Sequence, residues 1–309
     1  MELRTVGRSG LQVSAVGLGC NNFGSRLDEQ RSAQVVAACL DAGVTFFDSA
    51  NVYGQGASEE FLGRALKGHR DEVVVATKFG VSVEGVSGAS RRGVLDACEA
   101  SLRRLDTDHI DLYYQHFPDP KAPVTETLDA LDDLVRAGKV RYVASSNYAG
   151  WEVARADHVS RERGRSRFVA CQAERNLLHR DVERELVPAC EAYGVGVVPY
   201  FPLASGLLTG KYRRGQPFPE GSRLASSPNF QKAATEEAFD AVERVEAVAR
   251  EIGRSLLEVS MAWLLHQATV PSVIAGATSP EQVRSNAATA EVTLSADEVR
   301  AIGEAAAGS

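Results

Sequence analysis

The chain has 309 residues, 44% of them apolar and 24% charged, which is ordinary globular usage and excludes a disordered, collagen-like or coiled-coil protein. Asp and Glu number 41 against 34 Lys and Arg, so the formal charge is −7 and, with no long basic run, nucleic acid is not an expected partner. No apolar run approaches the roughly 18 residues that cross a bilayer, and the first residues, MELRTVGRSGLQV, lack the apolar core of a signal peptide, so neither a membrane nor secretion is expected.

In chain order, residues 3–13 read as a hairpin around the turn 7–10, placed to plug the floor of a barrel. Apolar, β-branched runs then follow at 15–19, 44–48, 73–78, 110–115, 140–145, 168–172, 195–200 and 272–275. Each is short and unbroken, as in parallel strands buried on both faces. Helical patterns fall between them at 29–42, 58–66, 92–105, 124–137, 151–160, 182–193, 256–266 and 280–290. In the first, Val35, Val36, Cys39 and Leu40 share a face and Gly43 ends it. Eight strand–helix units predict one α/β domain, a (β/α)8 TIM barrel over 1–309. A doubly wound sheet would bring a Gly-rich turn after an early strand. Here GLGCNNFG has no third glycine at that spacing, and the lone Gly194/Gly196 pair precedes its strand.

Two segments exceed a minimal barrel. Residues 205–231 are rich in Gly, Pro, Ser and Arg without periodicity, and 234–252 read as an extra amphipathic helix. A loop that long in a compact domain is usually functional. The Gly/Ser-rich segment 81–90 is expected to be mobile, and a short tail after the last helix is expected to leave the mouth open. Five cysteines without a CxxC point to a reduced, cytoplasmic protein, and six histidines without HxxxH or HExxH give no metal site.

Barrel chemistry sits at the C-terminal ends of strands. Those ends carry Asp48, Lys78, His116, Ser146 with Asn147, Gln172 and Tyr200, and Tyr53 follows Asp48 by five residues. Any one of them has a structural reading: a turn cap, a solvated strand end, a rim aromatic. Their gathering at one mouth is what favours chemistry.

The stretches GVTFFDSANVYGQGASEEFLGRAL, VVVATKFG, DHIDLYYQHFPDP, GKVRYVASSN, CQAERNLL, FPLASGLLTGKY and GATSPEQVRSN carry a resemblance to the aldo-keto reductases across most of the chain. The resemblance implies reduction of a small-molecule carbonyl by NADPH, with NADH left open, and a tetrad on Asp48, Tyr53, Lys78 and His116. The residue chemistry suits this. Hydride transfer leaves charge on the carbonyl oxygen, and an acid must protonate it. A free phenol, with a pKa of about 10, is a poor acid near neutrality, and an adjacent ammonium such as Lys78 lowers it. Asp48 would hold Lys78, and His116 would donate to the carbonyl oxygen.

The same resemblance implies cofactor contacts. Gly19, Cys20, Asn21 and Asp48 lie on the early strand ends. Ser146, Asn147 and Gln172 hold the nicotinamide amide, with Tyr200 stacked on the ring. Phe201 stands where relatives often have Ser, followed by Pro202 and Leu203. The long loop, with Ser205, Gly206, Leu208, Lys211 and Arg223, covers the pyrophosphate, and Gly276, Thr278, Gln282 and Asn286 meet the adenosine end. Many NADPH-preferring members carry Lys and Arg where Gly276 and Gln282 stand, so Arg223 is expected to meet the 2′-phosphate. This last stretch is similar to the branch that includes potassium-channel β subunits. Asn21, Phe23, Tyr53, Phe79, His116 and Phe117 are expected to rim a pocket for an uncharged or aromatic aldehyde. A slow redox-sensing accessory subunit and a Schiff-base aldolase using Lys78 are the competing readings; His116 speaks for the reductase, because the channel branch often lacks it.

Overall fold

The computed structural model describes residues 1–83, 85, 88–226 and 228–308. The segment 81–90, expected to be mobile, includes residues 84, 86 and 87, which lie outside the described residues. Two antiparallel strands, β1 (Leu3–Thr5) and β2 (Gln12–Ser14), form the expected hairpin, with Arg4 opposite Val13. Eight parallel strands follow: β3 (Val16–Gly19), β4 (Phe46–Asp48), β5 (Val74–Phe79), β6 (Ile110–Gln115), β7 (Val140–Ser146), β8 (Ala170–Glu174), β9 (Gly196–Tyr200) and β10 (Val273–Gly276). They pair in chain order, and β10 returns to pair with β3. Across the seam the Val197 N–H donates to the Thr269 carbonyl at 2.7 Å. The sheet is thus the predicted (β/α)8 barrel.

The helices are α1 (Glu29–Asp41), α2 (Ala57–Ala65), α3 (Arg91–Leu105), α4 (Val124–Arg136), α5 (Gly150–Glu162), α6 (Leu186–Tyr193), α7 (Arg223–Ser226), α8 (Pro228–Gln231), α9 (Glu236–Glu251), α10 (Leu256–Leu265), α11 (Pro280–Ala288) and α12 (Ala296–Ala307). Their starts have chemical causes. Asp28 accepts the Arg31 N–H at 2.8 Å, and Ser90 and Thr235 cap α3 and α9 in the same way. α6 begins four residues later than the pattern predicts. Pro188 has no N–H and is tolerated only in a first turn, so 181–183 make a separate 3₁₀ turn instead.

The short tail expected after 290 is in fact α12. A capping box opens it, Ser295 accepting from the Glu298 N–H while the Glu298 carboxylate accepts from the Ser295 N–H. It packs on α9, where Arg244 donates to the Ala305 carbonyl at 2.7 Å.

Period-two alternation explains how the barrel aims its side chains. Phe46, Ala76, Leu112, Ala144, Ala170, Val198 and Ile274 point into the barrel and pack on Val6, Leu11 and Val13 of the hairpin. Two residues further along the same strands stand Asp48, Lys78, Tyr114, Ser146, Gln172, Tyr200 and Gly276. The layer above the interior core is therefore the mouth. Odd-parity neighbours such as Phe47, Phe79, Tyr113 and Cys171 face the helices and join the outer core instead.

Candidate active site

The mouth opens into a cavity of about 780 Å³. At its deep end Lys78, fully buried, donates to Asp48 Oδ2 at 2.6 Å and to the Ser49 carbonyl at 2.8 Å. Its third direction meets Tyr53 Oη at 3.5 Å. Asp48 Oδ1 accepts from Gln172 Nε2 at 2.9 Å, so both carboxylate oxygens are fixed. Tyr53 opens a tight turn in which Gly54, Gln55 and Gly56 all have positive φ. Gly54 is required there twice over: its φ is +58°, and a Cβ would come within 2.8 Å of the Phe23 carbonyl. The Tyr53 and His116 rings meet edge to face at 6.1 Å, and Phe117, half-exposed, stacks on His116 at 4.8 Å.

Burial pushes the Tyr53 phenol above its ordinary value; the Lys78 ammonium pulls it down and Asp48 opposes that pull. This reverses the sign expected from the sequence, because desolvation outweighs the single cation. Burial also disfavours the Lys78 ammonium, but Asp48 and Tyr53 hold its pKa above the usual value. A lysine so held is charged and poorly nucleophilic, which speaks against the Schiff-base reading. Burial first, then Lys78, lowers His116 to about 3, so its imidazole is neutral at physiological pH and can donate one hydrogen bond.

The remaining predicted residues sort clearly. Ser146, Asn147, Gln172 and Tyr200 line the same cavity beside Gly19, Asn21 and Asp48. Asn147 donates to the His116 carbonyl at 2.9 Å and accepts from Tyr200 Oη at 2.9 Å. Phe201, Pro202, Leu203, Ser205, Gly206, Lys211 and Arg223 form one wall, and Gly276, Thr278, Gln282 and Asn286 the far end. Phe201, Ala204, Ser205 and Gly206 have φ between +46° and +99°. Non-glycine residues held there cost on the order of 1–3 kcal/mol each, and such strain gathers at ligand clamps.

Four predicted residues lie elsewhere. Cys20, Phe23 and Phe79 are fully buried in the outer core, and Leu208 is fully buried beneath the long loop. Phe79 follows the inward Lys78 and so faces the helices, where it packs on Tyr113 at 4.8 Å.

Asn22, Arg26, Thr209, Gly221, Ser222 and Glu281 also line the cavity and had no signal in the strand-end reading. Arg26 and Arg223 carry most meaning. Arg223 donates to Asn22 Oδ1 at 3.2 Å, and Arg26 donates to the Gly221 carbonyl. Among the described residues neither has a carboxylate within 4 Å. Burial, then the neighbouring Arg26, lowers the Arg223 pKa.

These observations fit a nicotinamide dinucleotide. Amide and hydroxyl groups and a Tyr200 ring face stand at the deep end, uncompensated cations along the wall, and the N-terminus of α11 at the far end.

The family model for the aldo/keto reductases matches residues 15–307, and the chain belongs to that family. A probable aldo-keto reductase 1 of Glycine max is 35% identical over 309 residues, covering 97% of this chain and 87% of that protein. A probable voltage-gated potassium channel subunit beta of Oryza sativa is 36% identical over 297 residues, covering 93% and 90%. An uncharacterized oxidoreductase of Bacillus subtilis is 34% identical over 318 residues, covering 98% and 95%. The protein is accordingly an NAD(P)H-dependent oxidoreductase acting on carbonyl compounds. No described helix is long and apolar enough to cross a membrane.

Proposed function

We propose that the protein reduces aldehydes and ketones with NADPH and that Tyr53 is the proton donor. The observation that carries this is Lys78 Nζ standing between Asp48 at 2.6 Å and Tyr53 Oη at 3.5 Å, with neutral His116 beside them. The reduced nicotinamide, when bound, supplies the hydride. His116 donates to the substrate oxygen and orients it toward Tyr53. The raised phenol pKa keeps the proton on Tyr53 until charge develops on that oxygen; Lys78 then stabilises the phenolate left behind. Asp48 and Gln172 keep Lys78 in register. Ser146, Asn147 and Gln172 would hold the carboxamide, and Tyr200 would cover one ring face. Arg223, aided by Arg26, would meet the 2′-phosphate. Phe117 and the open mouth suit an uncharged, apolar or aromatic carbonyl.

Tyr53→Phe tests the assignment. Turnover of a small aldehyde panel should fall by about 10²–10⁴-fold, the range of general acid catalysis, while cofactor affinity measured by fluorescence stays within twofold. Turnover within a few fold of wild type would move the proton donor elsewhere. The same steady-state assay on wild type decides between a reductase and a slow accessory subunit of the kind the channel-named relatives suggest.

A further inference from the structure

At the opposite end of the barrel a second cavity, of about 480 Å³, opens between the β1–β2 turn and the starts of β7 and β8. Arg8, Arg141, Arg165 and Arg167 line it, with Tyr142 and Phe168 among its walls. The sequence alternates arginine through Arg161, Arg163, Arg165 and Arg167 in the turn that leads from α5 to β8. Their carboxylates are too few. Asp157 is shared by Arg161 and Arg167, and Asp129 by Arg163 and Arg165. Asp132 is shared by Arg136 and Arg165, and Asp111 by Arg70 and Arg141. The Arg8 guanidinium has no described carboxylate within 4 Å and donates to the Ala192 carbonyl, at 3.2 Å. Seven guanidiniums therefore share four carboxylates and Arg8 meets none among the described residues, on a chain whose net charge is −7. Arg8 is also held in place. Its N–H donates to the Gly194 carbonyl at 2.8 Å, and its side chain crosses Gly194 where a Cβ would overlap it.

We propose that this cavity is a second ligand site, for a small organic anion: a carboxylate or phosphate on a flat apolar body. Guanidinium forks bind two oxygens of such groups, the aromatic walls take the body, and the volume lies in the range of small-molecule sites. The strand starts it occupies take no part in the chemistry at the strand ends, so the site is separate from the reductase reaction.

The test is calorimetric titration of the full chain, first saturated with its nicotinamide cofactor so that the upper cavity is filled. The probes are phenyl phosphate, benzoate and inorganic phosphate. One further site is expected for phenyl phosphate or benzoate, and whichever binds tighter assigns the head group. Arg8→Gln should weaken it about tenfold or more, the loss of one charge-assisted hydrogen bond, and leave carbonyl turnover unchanged. Raising the salt should weaken it as well. Absence of binding by all three probes overturns the proposal, as does binding that Arg8→Gln leaves untouched. Inorganic phosphate binding as tightly as phenyl phosphate overturns the apolar-body part.

Discussion

Removing Arg223 should cost NADPH affinity and spare NADH. The guanidinium lies 5.4 Å from the Phe201 ring centroid and 5.1 Å from that of Phe230, so its plane is held by two aromatic faces. Asn22 Oδ1, at 3.2 Å, uses only one Nη2 hydrogen. Burial and the adjacent Arg26 disfavour its charge, and no described carboxylate relieves it. A 2′-phosphate placed there would supply the missing anion through a charge-assisted bond worth about 1.5–3 kcal/mol. That corresponds to roughly 10- to 150-fold in Kd. Arg223→Ala should therefore weaken NADPH by about that factor in a fluorescence titration and change NADH less than about twofold. Arg223→Lys should fall between, since it keeps the charge and loses the planar fork. Moving from low to high salt should compress the preference, because Arg223 is only partly buried and a partly exposed pair is still screened. Equal loss for both cofactors would assign Arg223 to holding the long loop closed. A wild-type enzyme that prefers NADH would refute the proposed coenzyme outright.

Gln172→Met should strip Asp48 Oδ1 of its 2.9 Å donor and leave a buried acceptor unpaired. Denaturant unfolding should show a loss of about 1–3 kcal/mol, and a loss below about 0.5 would mean that water replaces the amide. Burial, then Lys78, lowers His116 to about 3 in the folded chain against about 6.5 for a free imidazole, so in acid the unfolded chain takes the proton first. Stability should fall as pH drops from 6.5 toward 3, and His116→Phe should flatten that slope between pH 6.5 and 4.5; an unchanged slope would rule out a buried neutral imidazole. By the same reasoning kcat for carbonyl reduction should show no acid limb near pH 6.5, checked by a pH–rate profile.

The barrel was readable because both faces of its strands are buried, which writes them as continuous apolar runs such as Ile110–Gln115. The strand ends showed Asp48, Lys78 and His116 gathering at one mouth, but each alone had a structural reading, and it was the resemblance that joined them with Tyr53, five residues past its strand. What the reading lacked was parity. Lys78 and Phe79 are neighbours in sequence, but the pleat turns one inward and the other to the helices. Counting in twos from Ala76 would have excluded Phe79, and Leu18 with Cys20 follows the same rule. α12 was passed over because its run, ADEVRAIGEAAA, has few large apolar residues, although the Ser295 to Glu298 spacing is a capping-box signal. Arg26 and Asn22 had no local signal. Arg26 meets the carbonyl of Gly221 195 residues away, so only the fold shows that they share a wall.

The hairpin plug has a consequence for how the molecule assembles. Val6, Leu11 and Val13 pack with one another and with inward side chains from right round the ring, from Phe46 of β4 to Val198 of β9 and Ile274 of β10. Arg4 completes the arrangement by donating to the Leu265 carbonyl, 261 positions along the chain. On a ribosome these three side chains emerge before the strands that cover them, and their covering is complete only when β10 reaches β3. Contacts of such separation are slow to form and leave sticky surface exposed meanwhile. Seating of the floor and closure of the ring are thus one late step, and a polypeptide fused ahead of Leu3 would leave the molecule on the side away from Tyr53.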